Sequence, residues 1–97
     1  MAKLDVKAIR ESMKQVPGWR RRAGMIECEF EFDDFVGAMA FVKRVAVEAE
    51  KAGHHPDIDI RWNRVRLGLT THDEGGLTGR DFVLAALFSR LAMRGRG

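Results

Sequence analysis

Three histidines, His54, His55 and His72, are the residues of this chain with the clearest chemical potential. Imidazole is the side chain whose ordinary pKa lies near neutrality, so neighbouring imidazoles can hold a general acid and a general base together at working pH. Proton transfer is the chemistry their grouping predicts. Two carboxylates are candidates to join them. Asp81 falls on the apolar stripe of a predicted helix, where an unpartnered charge is costly to bury, so it needs backbone amides or an imidazole. Glu50 projects about 20° from Met39 around a longer predicted helix, at the border of its apolar stripe, and is expected to reach inward. Plainer readings stand beside these: His54 and His55 as a polar pair at a helix exit, Asp81 as the closing member of a capping box with Thr78, and Glu50 as a solvated charge. Three histidines and a carboxylate also make a conceivable zinc set. Against it, adjacent His54 and His55 point different ways in most backbone conformations, and no pair has helical spacing. Ser12 and Ser89 lie inside predicted helices with no sharp turn to expose a nucleophile, and the glycines of Gly75-Gly76-Leu77-Thr78-Gly79 lack the lysine of a phosphate loop.

The elements that must position these groups follow from periodicity. Val6, Ile9, Met13 and Val16 recur at helical spacing before Pro17-Gly18, which predicts a helix over about 5–15. Ile26, Cys28, Phe30 and Phe32 alternate with Glu27, Glu29 and Glu31, a half-buried strand pairing with 19–23 through a turn at Gly24. Asp33-Asp34 caps a long helix whose stripe is Phe35, Ala38, Met39, Val42, Val45, Ala46 and Ala49, and Gly53 ends it. Ile58, Ile60 and Trp62, then Val65, Leu67 and Leu69, alternate as two strands. A loop at Asn63-Arg64 would set Trp62 opposite Val65, Ile60 opposite Leu67 and Ile58 opposite Leu69. Leu84, Ala85, Phe88, Leu91 and Ala92 form the buried face of a last helix opened by Thr78 and Asp81. The histidines flank the second hairpin, two at its entrance and one past its exit, and hairpin ends are neighbours in space. Alternation from Val65 points His72 away from the helix-covered face unless the strand has ended first. The order predicts one α+β domain over residues 1–97, a four-stranded antiparallel sheet with three helices packed on one face.

Bulk properties restrict the function class. At 97 residues, 45% hydrophobic and 32% charged, the chain has the composition of a folded domain. Seventeen Lys and Arg against 14 Asp and Glu give a net charge of only +3. The basic clusters are Arg20 to Arg22 and the tail of Arg90, Arg94 and Arg96, so a nucleic-acid partner is not expected. One cysteine, Cys28, precludes an intrachain disulfide and fits a reducing, cytoplasmic address. There is no apolar run of membrane-spanning length and no secretion signal, so no membrane role is expected.

The pattern Glu50-x3-His54-His55-Pro56-x5-Trp62-x9-His72-x8-Asp81 resembles the signature of the pterin-4a-carbinolamine dehydratases at every position. Trp19, Phe32-Asp33-Asp34-Phe35, Ala38 to Val42, Asn63-Arg64-Val65 and Leu69 through Thr78 extend the resemblance over nearly the whole chain. It implies the same fold and a hydro-lyase that dehydrates 4a-hydroxytetrahydrobiopterin to the quinonoid dihydropterin, in tetrahydrobiopterin recycling, with no metal or organic cofactor. It assigns acid and base catalysis to His54 and His72, orientation of imidazoles to Glu50 and Asp81, and substrate binding to His55, Pro56, Trp62, Thr71 and Asp73. Ile58 replaces an aromatic of animal members, which bears on ring stacking. The resemblance further implies a homodimer or homotetramer, for which the exposed acidic strand 27–31 or the open sheet face is the expected contact. Animal relatives also act as dimerisation partners of a homeodomain transcription factor, so a non-catalytic coactivator module on the same fold is the alternative.

Overall fold

The computed structural model describes residues 2–96, with side chains through Met93. Residues 1 and 97, and the side chains of Arg94 and Arg96 counted in the basic tail, lie outside the described part. Along the chain come α1 (Val6–Met13), β1 (Arg20–Arg22), β2 (Met25–Glu31), α2 (Phe35–Ala52), β3 (Asp57–Arg61), β4 (Arg64–Leu69), a short 3-10 turn (His72–Glu74) and α3 (Gly79–Arg96). The strands form one antiparallel sheet in the order β1-β2-β4-β3, and α2 supplies the crossover that lets β4 lie between β2 and β3. The expected element order and fold class are those observed.

Local chemistry sets the element ends. Asp5 Oδ1 accepts from the Ala8 amide and Asp34 Oδ1 from the Gly37 amide, both at 2.8 Å, so each helix begins where a carboxylate satisfies an orphan N–H. Gly53 closes α2 at φ 62°, the left-handed region glycine enters without a Cβ clash. The core fills the space between the sheet and the helices. Ile26, Phe30, Val65, Leu67 and Leu69 come from the sheet, Ile9 from α1, Ala38, Phe41, Val45 and Ala49 from α2, and Phe82, Leu84, Ala85, Phe88, Leu91 and Ala92 from α3.

Three expectations are corrected. The buried stripe of α2 is Ala38, Phe41, Val45 and Ala49, whereas Phe35, Met39 and Ala46 are exposed, a rotation of roughly 60° at 100° per residue. Phe41 decides this. Its ring lies 5.0 Å from those of both Phe30 and Phe32, and burying a large aromatic outweighs burying Met39 and Ala46. In the second hairpin the loop is Trp62-Asn63, with Arg61 opposite Arg64, Ile60 opposite Val65 and Ile58 opposite Leu67. Arg64 cannot leave the ladder for the loop because β4 is held on its other side, where Arg64 pairs with Glu31. Asn63 is tied as well, since Phe32 N donates to Asn63 O at 2.8 Å and Asn63 Nδ2 donates to Phe32 O at 2.9 Å. The two-residue shift keeps apolar side chains on one face, but it leaves Trp62 at φ 51° on the hairpin tip, 66% exposed. Lastly, Val6, the first residue of α1, stands exposed outside the core.

The open sheet face carries charges that neutralise one another across strands. Arg22 meets Glu27 at 3.4 Å, Arg66 meets Asp59 at 3.2 Å, and Arg64 lies within 4.0 Å of Glu29 and Glu31. The arginine run is thereby divided: Arg22 is paired, Arg20 borders a depression shared with Glu27 and Glu29, and Arg21 lies beside the start of α1.

Candidate active site

The end of α2 determines where His54 goes. After the left-handed Gly53, the His54 amide donates to Ala49 O at 3.2 Å, and the chain turns so that His54 is 8% exposed. Its Nε2 meets Asp81 Oδ1 at 2.6 Å. A carboxylate accepts and an imidazole N–H donates, so this pair places a proton on Nε2 and leaves Nδ1 as the nitrogen able to exchange one.

Asp81 is fully buried and its other oxygen is also occupied. Oδ2 accepts from Thr71 Oγ1 at 2.8 Å and from the Thr78 amide at 3.0 Å. Thr71 spends its single proton on Asp81, so the 2.9 Å contact between the two threonine hydroxyls is a donation from Thr78 to Thr71. Thr78 Oγ1 in turn accepts from the Arg80 amide at 3.3 Å. Asp81 thus serves an imidazole with one oxygen and the Thr78 amide, its half of the expected capping box, with the other, while Thr78 Oγ1 receives the Arg80 amide rather than that of Asp81. A network satisfied on every side fixes its members in place.

His55 takes the opposite direction from His54. Its Nε2 lies 2.5 Å from Glu50 Oε2, and the side chains are 61% and 78% exposed. Glu50 therefore does not reach inward; the rotation of α2 carries it to the surface, where it holds His55. Pro56 follows and confines His55 to extended backbone. His72 is freed by the end of its strand. β4 stops at Leu69, Thr71 forms an isolated bridge with Gly76, and His72 opens the 3-10 turn that Gly75 closes at φ 75°. Among the described residues His72 makes no side-chain hydrogen bond.

All three histidines line one pocket of about 210 Å³, together with Gly53, Thr70, Thr71, Asp73 and Arg80. The expected convergence is present. Thr71 reaches the pocket wall but gives its hydroxyl to Asp81. Pro56 does not line the pocket, and neither does Trp62, because the whole of β3, roughly 16 Å at 3.3 Å per residue, separates the hairpin tip from its entrance. Within one chain Trp62 is thus not a neighbour of the histidines. Two contributors carry little or no signal in the sequence. Thr78, expected only as a cap, belongs to the Asp81 network. Arg80 donates through Nη2 to Gly53 O at 3.1 Å, latching the start of α3 to the end of α2. Arg80 has no periodic signature, since its role depends on the meeting of two helix ends. Among the described residues no group of three His, Cys, Asp or Glu side chains is arranged to hold a metal ion.

Comparison with known proteins gives concordant results. A family model described as pterin 4 alpha carbinolamine dehydratase matches residues 2–91. A protein of Acidobacterium capsulatum named "Putative pterin-4-alpha-carbinolamine dehydratase" is 62% identical over 94% of this chain and 99% of its own length. A namesake from Thermomicrobium roseum is 50% identical over 95% and 99%. The crystal structure of a "transcriptional coactivator/pterin dehydratase" from Brucella melitensis superposes with a TM-score of 0.89 at 33% identity, covering 93% of this chain and 98% of that one. A pterin dehydratase-like protein described as a RuBisCO assembly factor of the alpha-carboxysome shares the fold at TM-score 0.63 and 24% identity, over 76% and 86%.

Proposed function

Because this chain belongs to the pterin 4 alpha carbinolamine dehydratase family, we propose that it dehydrates 4a-hydroxytetrahydrobiopterin to the quinonoid dihydropterin by histidine acid and base catalysis, serving tetrahydrobiopterin recycling. The observation that carries this reading is the meeting of His54, His55 and His72 around one pocket, with two of the imidazoles held by carboxylates. Dehydration breaks the bond between C4a and its hydroxyl. The oxygen leaves as water after taking a proton from one imidazole, and the ring system loses a proton to another, so no net proton is consumed. His54 and His72 form this pair. Asp81 fixes the ring of His54 and stabilises the imidazolium when Nδ1 is protonated, and His72, which has no side-chain hydrogen bond among the described residues, is free to meet the substrate. His55, oriented by Glu50, and Asp73 hold the pterin from the pocket rim.

The decisive experiment is a direct assay on freshly made 4a-carbinolamine. His54→Ala and His72→Ala should each lower turnover by about 10² or more with the fold retained by circular dichroism. Unchanged turnover in both overturns the catalytic assignment.

We further propose a cytoplasmic homo-oligomer. Cys28 is a free thiol, as suits a reducing compartment, and among the described residues no helix is long and apolar enough to cross a membrane. Val36, Met39 and Val47 form an exposed apolar row on α2, a better candidate for contact between copies than the self-neutralised sheet face or its acidic strand. The same row favours the second reading, a binding module without catalysis, in line with the Brucella protein's description as a transcriptional coactivator as well as a pterin dehydratase. Under that reading the wild-type protein is inactive on carbinolamine, and its partner binding survives loss of His54 and His72.

A further inference from the structure

The histidine pocket does not end at the histidines. At about 210 Å³ it is smaller than the roughly 300 to 1,000 Å³ usual for sites that bury small molecules. Its wall of Thr70 and His72 is shared with a second depression of about 330 Å³, lined also by Gly24, Met25, Gly75 and Gly76. A third, of about 360 Å³, continues from Gly24, Gly75 and Gly76 to the start of α1, where it meets Lys3, Val6 and Arg21. Together they form one groove whose floor is held in place: Thr70 Oγ1 donates to Gly24 O at 2.8 Å, and Leu4 N donates to Leu77 O at 2.8 Å. The spaces over Gly24 and Gly75 are empty, while the Lys3 stem lies over Gly76, where a Cβ would come within 3.1 Å of it. The exposed side chain of Val6, unexplained by the core, is part of the apolar lining at this end.

The far end is cationic. Neither Lys3 nor Arg21 takes part in an ion pair among the described residues. Asp5 also borders the groove there, but its Oδ1 is committed to the Ala8 amide, and two cations face its one charge.

We propose that this groove is a specificity site for the substituent at C6 of the pterin, selecting carbinolamines whose side chain ends in an anion, carboxylate or phosphate, bound between Lys3 and Arg21. The inference rests on the dehydratase reading. In a 4a-hydroxypterin, C6 is bonded to the same nitrogen as C4a, so a substituent on C6 starts close to the reacting centre beside the histidines. Thr70 and His72 border both the pocket and the groove, so the substituent can pass from one to the other over them. The stem of the substituent lies along Gly24, Gly75 and Val6, and its terminus meets the two cations.

The test compares three carbinolamines that differ only at C6: a neutral three-carbon chain, and longer chains ending in a carboxylate or in a phosphate. The readout is the ratio of kcat/KM for the anionic over the neutral substrate, which is insensitive to any loss of folded protein. Wild type should favour at least one anionic chain by about threefold to tenfold, falling towards one at high salt. The ratio should fall to about one in Lys3→Ala/Arg21→Ala and below one in Gly24→Leu, which fills the groove at a position without left-handed backbone. Preference for one anion identifies the terminus and supports the site. A ratio of one in wild type, or a preference that survives both variants, overturns it. Inactivity on all three substrates overturns the dehydratase reading instead. Binding of the stable 7,8-dihydropterins with the same substituents then decides the groove separately, equal affinities for neutral and anionic ligands counting against it.

Discussion

Asp81 is the residue on which most of the candidate chemistry converges. Its two oxygens receive His54, Thr71 and the Thr78 amide inside the core, so changing its chemistry without changing its shape should disturb proton transfer before folding. Asp81→Asn replaces an acceptor-only group with one that also donates, and the His54 ring loses its fixed proton position. Turnover should fall at least about tenfold through kcat rather than KM, with an altered pH–rate profile. A residue that served folding alone would lower the yield of active protein and leave the profile in place. Cys28 illustrates the reverse case, a potentially reactive group made inert. Burial, aided by the neighbouring Glu29 charge, raises its pKa from 9.0 to about 11. At pH 8 the folded thiol should react with iodoacetamide about a hundredfold more slowly than the unfolded one, measurable by mass spectrometry. The sign for stability follows: the folded state holds this proton more tightly, so the contribution is complete below pH 9 and is lost as pH rises towards 11.

Among the elements, the exit of α2 matters most, because one glycine ends the helix and aims both adjacent histidines. Gly53→Ala forces a Cβ into the left-handed region at a cost of about 1 kcal/mol, which for a chain of this size lowers Tm by about 4–8 °C. Turnover should fall further than this loss of stability accounts for, since His54 and His55 both follow from that turn. A thermal melt and an assay on the same sample separate the two effects. The central strand β4 acts at this scale as well. Held between β2 and β3, it fixes the hairpin register, and that register determines that Trp62 occupies a tip rather than a strand.

At the scale of the whole molecule, the helices cover one face of the sheet while α2 keeps an apolar row turned outward. If that row joins copies of the chain, Val36→Glu/Val47→Glu should reduce the sedimenting mass to that of a smaller species while each domain stays folded. An unchanged mass would place the contact elsewhere. Val36 lies at the start of α2, far from the histidine pocket beyond its other end, so activity per chain should change little in Val36→Glu alone.

What the sequence determined by itself is whatever local spacing encodes: the order of helices and strands, the caps at Asp34 and Gly53, the burial of Asp81 and its need for partners, and the pairing of His54-His55 with His72 across a hairpin. Tertiary structure decided what depends on competition between distant segments. Phe41 chose the face of α2 by reaching Phe30 and Phe32, and that rotation moved Glu50 from the interior to His55. The early end of β4 at Leu69 turned His72 into the pocket, against the alternation of its strand. Arg80 joined the site only because the end of α2 and the start of α3 meet there, an encounter between residues 27 positions apart that no local period records, and Thr78, locally bonded to Asp81, was tied in further by the hydroxyl of Thr71.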